Sequence, residues 1–182
     1  VGVVNAGRAW NILVNESNPI PTANDVVTEY FSLSGGQDTG LAETQVLQTW
    51  QSAGLFGSKI EAFAPVNHTI ANTIKSAIAF YGVCYLGVQL PDSAQQQFNP
   101  GGQSTWSVVS GAQIDGGHCI VAAGFDDTGI QIITWGQVVT CTEGWIAQYV
   151  DEAYAIISAQ YVEHGGGPTL NLAALKADLA AA

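Results

Sequence analysis

The 182-residue chain contains three histidines, so the search for acid–base chemistry is short. His118 follows Gly116-Gly117 and opens the apolar run Cys119-Ile120-Val121-Ala122-Ala123-Gly124-Phe125. An imidazole titrates near neutral pH, and glycines beside it leave room for a reacting group, so His118 suits a general base. The plainer alternative is a histidine half-buried at the start of a strand. Ile132-Ile133-Thr134-Trp135-Gly136 ends the next strand of the same hairpin and so lies beside His118. A tryptophan there can roof the imidazole and shield its hydrogen bond from water; the alternative is an ordinary core tryptophan.

A general base needs a nucleophile. The cysteines are Cys84, Cys119 and Cys141, an odd number at wide spacing with no Cys-x-x-Cys. That pattern is neither a disulfide framework nor a structural zinc site. One disulfide with a free thiol, or three buried thiols, both remain open. Cys119 adjoins His118 in a strand, so the two side chains face opposite ways. Cys84 begins a buried strand, and Cys141 falls in a loop after Trp135. Ser104, Ser107 and Ser110 precede His118, but none sits in a Gly-x-Ser-x-Gly elbow. Asp126-Asp127 belongs to a solvated hairpin turn. Asp38, Glu43 and Asp115 are not spaced as a calcium loop. No metal and no cofactor are expected.

The elements that must position these residues fall into two halves. Val4, Ala6, Ala9, Trp10 and Leu13 have helical spacing over residues 3–14. Asn18-Pro19-Ile20-Pro21 breaks that helix, and Thr22 caps a second one with Asp25 at its third position. Gly35-Gly36 ends it; a third helix runs through Leu41, Val46, Leu47 and Trp50 to Gly54. Residues 59–63 alternate like a strand, and 69–81 form a helix. Residues 83–90 are almost continuously apolar, which fits a strand buried on both faces. Pro91-Asp92-Ser93 starts a short helical turn. Strands are expected at 106–109, 118–125, 130–135 and 153–158, with a short helix over 142–150 before the last. Gly165-Gly166-Gly167-Pro168 is a break before an Ala/Leu-rich helix over 171–182. The fold class is α+β: a helical half over 1–57 packed on a mostly antiparallel β half over 58–164, with 165–182 as a separate tail.

Composition bounds the function. Apolar residues make up 47% and charged residues 10%, with a formal net charge of −11. Charged residues typically make up ~25% of a soluble domain, so this surface is poor in charge and suited to lie against partners. Arg8, Lys59, Lys75 and Lys176 are scattered singly. Neutralising phosphates takes clustered cations, which argues against nucleic acid and anionic membranes. No apolar run approaches the ~20 residues needed to span a bilayer. The chain begins at Val1 and has no methionine, which leads us to expect a further piece upstream.

Taken together, residues 116–126 resemble the segment around the catalytic histidine of papain-like cysteine peptidases. Thr134-Trp135-Gly136 is similar to the Asn-Ser-Trp-Gly segment of that family, at the right distance downstream. Tyr85-Leu86-Gly87-Val88-Gln89-Leu90, then Asp92 and Phe98, resembles the strand and short helix before the histidine. The strand over 153–158 after Gly144-Trp145 also fits. The resemblance covers residues 83–158 well and the helical half more loosely, and is nearest to divergent bacterial and phage members.

The resemblance implies a cysteine at the N-terminus of the first long helix, where the helix dipole and an imidazolium lower its pKa. That position falls on Val3, and no cysteine precedes Cys84. The asparagine that orients the histidine maps to Ile133, with Thr134 expected on the other face of the strand. The glutamine of the oxyanion hole would precede Val1. The expected site is therefore a relic: His118 as the old general base, Trp135 as its roof, Val3 in place of the nucleophile and Ile133 in place of the orienting asparagine. The implied function is a catalytically inactive papain-like domain, a structural or binding module whose partners are proteins such as the subunits of a phage virion or another large assembly. The competing expectation is an active cysteine peptidase or amidase whose nucleophile is altered or lies outside this chain.

Overall fold

The computed structural model describes residues 1–13, 20–158 and 161. The Asn18-Pro19 break, the boundary at 164 and the tail helix over 171–182 lie outside them. In chain order the elements are α1 (Gly2–Leu13), α2 (Ala23–Leu33), α3 (Glu43–Ser52), β1 (Ala62–Pro65), α4 (Ala71–Tyr81), β2 (Cys84–Pro91), α5 (Asp92–Gln97), β3 (Thr105–Trp106), β4 (Ile114–Asp126), β5 (Gly129–Thr134), β6 (Gln137–Cys141), α6 (Glu143–Tyr149) and β7 (Val150–Ile157). This is the expected α+β arrangement, helices first and strands after.

The strands form one sheet in the order β1-β7-β2-β4-β5-β6-β3. All pairings are antiparallel except β3 with β6. Strand β2 is central, and its apolar run is buried on both faces. Cys84, Leu86 and Val88 join Ile120, Ala122, Ile130 and Ile132 in a core covered by α4 and α6, through Ile74, Ile78, Trp145 and Ile146. Val83, Tyr85, Val121 and Ile156 join the opposite core, covered by α1 and α3 through Ala6, Trp10, Leu47 and Trp50. The two-residue period of the strands divides the chain between these layers.

Several boundaries shift from the sequence reading, each for a physical reason. Strand β4 begins at Ile114, so Gly116-Gly117 lies within the ladder, paired with Leu90 and Gln89, and not before it. Residues 137–141 are a strand, so Cys141 is a buried ladder residue and not part of a loop. Its partner strand β5 supplies the missing signal, because Gln137-Val138-Val139 is too short to stand out by itself. The expected strand at 106–109 shrinks to Thr105–Trp106. Helix α1 buries Val3, Ala6, Ala9 and Trp10, whereas Leu13 is exposed. The buried stripe is rotated toward Val3 because Trp10 must reach the carbonyl of Tyr81, to which its Nε1 donates at 2.9 Å. The capping box at Thr22 and Asp25 is formed in both directions. All three cysteines are free thiols.

The start of α1 approaches the sheet closely. A Cβ on Gly2 would lie 2.6 Å from Cys119 Sγ and 2.7 Å from the Tyr85 ring, both in the packed layer beneath the helix. Overpacking of this kind typically costs about 1–3 kcal/mol. Gly2→Ala is expected to destabilise the domain by that amount despite alanine's better helix propensity, as measured by the urea midpoint at constant slope.

Candidate functional site

Register decides what meets at the mouth of the sheet. Val88 pairs with His118 and Gly87 with Cys119, so the adjacent His118 and Cys119 point into different layers. His118 shares its side with Ile120 and, across the hairpin, with Thr134. Its Nε2 lies 2.9 Å from Thr134 Oγ1, a hydroxyl that is itself buried. This leaves Nδ1 as the ring nitrogen facing other ligands.

Ile133 does not occupy the orienting position. Its side chain packs into the layer beneath α1, and the residue that holds the imidazole is Thr134. The placement of Thr134 on the far face from His118 is therefore corrected. The register shift between Ala122 and Gly124 changes the β4–β5 pairing, so face alternation counted from sequence alone misplaces the hairpin end. Asn5 of α1 is also buried, with Nδ2 3.4 Å from the Ile133 carbonyl, joining the helix start to the end of β5.

Trp135 lies beside the imidazole, ring centroids 5.9 Å apart at 33°. It makes edge contacts with Phe98 at 5.0 Å and Trp106 at 5.3 Å. Trp135 (φ 46°) and Gly136 (φ 81°) are the two central residues of the β5–β6 turn. Positive φ at both positions is the demand of a tight primed hairpin turn, usually met by Asn-Gly. A tryptophan in the left-handed region costs roughly 1–2 kcal/mol; the ring contacts hold it there.

His118, Tyr85 and Cys119 line one groove of about 630 Å³ together with Val1, Gly2 and Val3 at the start of α1. Val26, Tyr30 and Leu33 of α2 form the far wall, and Glu43, Asp151 and Glu152 the end beyond Gly87. Val3 is buried in the α1 layer and borders this groove. It offers a hydrocarbon surface where the resemblance places a thiol. Burial lowers the His118 pKa below its usual value.

None of the thiols is activated. Desolvation pushes the Cys84 thiol up to about 12 and raises that of Cys141 well above its usual range. Cys119 lies against the Tyr85 hydroxyl and the Glu43 carboxyl; burial first, then the charge of Glu43, raises its pKa. A nucleophilic cysteine needs the reverse, an electropositive setting that stabilises the thiolate. Glu43 is the site residue that sequence reasoning treated only as a non-ligand for calcium. It is 8% exposed, and burial, then the charge of Glu152, pushes its pKa up to about 8. The available signal was its place as the first residue of a helix that begins at the groove.

No protein-family model matches the chain, and no curated protein matches its sequence. Among solved structures, it is similar to xylellain, a cysteine protease from Xylella fastidiosa, with a TM-score of 0.67 and 13% sequence identity over 87% of this chain and 78% of that one. The fold is therefore papain-like, as the segments around His118 and Trp135 imply.

Glu43 gives a pH signature. A carboxyl whose pKa rises from 4.5 to about 8 on folding takes up a proton in that window. Its stabilising contribution is complete below pH 4.5 and is lost as the pH climbs through 8. Relative to Glu43→Gln, wild type is expected to lose about 1 kcal/mol of unfolding free energy per pH unit between neutrality and pH 8. Denaturant titrations of both proteins across that range measure the difference; His118 titrates in both and drops out. Parallel curves would show that Glu43 is ionised throughout.

Proposed function

We propose that this chain is a papain-like domain without hydrolase activity, which uses its groove to hold a segment of another protein. The observation that carries this reading is the start of α1. Val1-Gly2-Val3 borders the groove that His118 lines and supplies no nucleophile. Without a thiolate, the oriented His118 has no group to activate, and such a site retains only the remnant that binding and fixed dipoles supply. Papain-like architecture is compatible with this loss, since a fold keeps its cleft when its chemistry goes.

The surface supports a role inside a larger assembly, a phage virion or a comparable complex, rather than as a free enzyme. Val27, Phe31, Ile70, Phe80, Ile114 and Val138 are all exposed, and few charges separate them. Two features weigh against nucleic acid as the partner: the net charge of −11 and the single scattering of four lysines and arginines along the sequence. Among the described residues, no helix is long and apolar enough to cross a membrane.

The active-peptidase reading draws on the Thr134–His118–Trp135 arrangement, and one experiment separates the two. Fluorogenic peptide amides and esters should show no turnover above buffer with this chain. Iodoacetamide at pH 7.5 should leave the folded protein's thiols largely unmodified and alkylate Cys84, Cys119 and Cys141 together once it is unfolded. Hydrolysis that iodoacetamide abolishes, with rapid labelling of one cysteine in the native state, would establish the enzyme and end the binding-module reading.

A further inference from the structure

The end of the groove beyond His118 carries a charge pattern that the histidine site does not use. Glu43 opens α3, and Asp151 and Glu152 open β7; all three line the groove. Gly87 of β2 lies between them: a Cβ there would fall 3.0 Å from Glu43 Oε1 and 3.2 Å from Asp151 Oδ1. Its missing side chain lets both carboxylates approach the strand closely. Asp151 Oδ2 accepts from Gln89 Nε2 and Glu152 Oε2 from the Tyr154 hydroxyl. Glu43 differs. Its Oε2 is buried and has no hydrogen-bond partner, in a side chain that is 8% exposed. An orphaned buried carboxyl oxygen is a costly feature, and its residue borders a groove that, among the described residues, no lysine or arginine lines. Glu29 on the α2 wall adds another acid.

The chemistry of the occupant follows from this geometry. Among the described residues, no group of three or more His, Cys, Asp or Glu side chains is placed to hold a metal ion. The carboxylates are too spread for one small cation, and suit a larger one whose N–H donors reach several oxygens. Val26, Tyr30, Leu33 and Val46 provide an apolar wall along the approach, against which the methylene stem of a long basic side chain can lie. We propose that the groove selects an extended protein segment carrying a lysine or arginine, whose charged head donates to Glu43 between Asp151 and Glu152.

This inference rests on the groove being the binding surface proposed above, and adds what that surface selects. The titration of Glu43 agrees with it. Burial and the neighbouring acids, Glu152 and Asp151, keep the carboxyl largely protonated near neutrality, with Cys119 and Tyr85 as its other polar neighbours. A cation seated there reverses the balance, so binding should release a proton.

The test uses the full chain and a set of capped, fluorescein-labelled hexapeptides of alanine, serine and tyrosine. One position at a time is arginine, lysine, citrulline, norleucine or glutamate, and fluorescence anisotropy gives the affinity. The arginine or lysine peptides should bind about tenfold tighter than their citrulline and norleucine counterparts. Glu43→Gln and the exposed Asp151→Asn should each remove most of that preference, and Gly87→Ala should weaken binding by pushing the carboxylates out of place. Asp127→Asn, which removes one charge from the distant hairpin turn, should change nothing. Equal loss from Asp127→Asn would reduce the preference to attraction by the net charge and overturn the proposal. Binding that ignores the charge of the peptide would overturn the cationic selection and leave the binding module standing. An absence of binding by any peptide would overturn both.

Discussion

The ladder between β2 and β4 is covered on both faces, and the rest of the domain depends on its register. Each residue of these strands belongs to one of two packed layers. Leu86, Val88, Ile120 and Ala122 lie under α4 and α6; Tyr85 and Val121 lie under α1 and α3. A slip of one residue would send every side chain to the wrong layer, and doubly buried strands forbid it. The same alternation distributes the chemistry. It sends His118 toward Thr134 and Trp135, and sends Cys119 under the start of α1 with Tyr85 and Glu43. The histidine and cysteine adjacent in sequence are thereby prevented from acting as a pair.

The hairpin between β5 and β6 provides the second constraint. Its tight turn requires positive φ at two residues, and the first is Trp135. Backbone strain at a bulky residue persists only where the surroundings over-determine it. Here Phe98 on one side and Trp106 and His118 on the other fix the indole. The turn also sets Thr134 as the last ladder residue, paired with Gln137, so the hydroxyl that holds the imidazole sits on rigid backbone. The arrangement is anchored to the core through the buried Trp106.

Much of this was legible in the residues. The apolar run at 83–90, the capping box at Thr22 and Asp25, the turn at Asp126–Gly129 and the His118–Trp135 spacing each carry a local physical signal, and the α+β division follows from them. What was missed depends on pairing between distant segments. Strand β6 is too short to declare itself without β5. The roles of Ile133 and Thr134 are exchanged because the β4–β5 register shifts between Ala122 and Gly124, which face-counting cannot see. Glu43 is the clearest case: a glutamate at a helix start reads as a solvated, dipole-stabilising charge. Only its placement against Gly87 of β2 and Cys119 of β4, distant in sequence, makes it a buried acid.

These two titratable groups explain why the groove behaves differently from its composition. Burial acts on both in the direction of neutrality, lowering His118 and raising Glu43. In an active thiol enzyme an imidazolium and a thiolate stabilise each other as ions, and that pairing keeps the histidine charged. Val3 offers hydrocarbon where that pairing would place an anion, and desolvation lowers the His118 pKa. The hydrogen bond between its Nε2 and Thr134 Oγ1 orients the ring. The electrostatic character of the groove passes to its other end, where burial and the charges of the exposed Glu152 and Asp151 raise the pKa of Glu43.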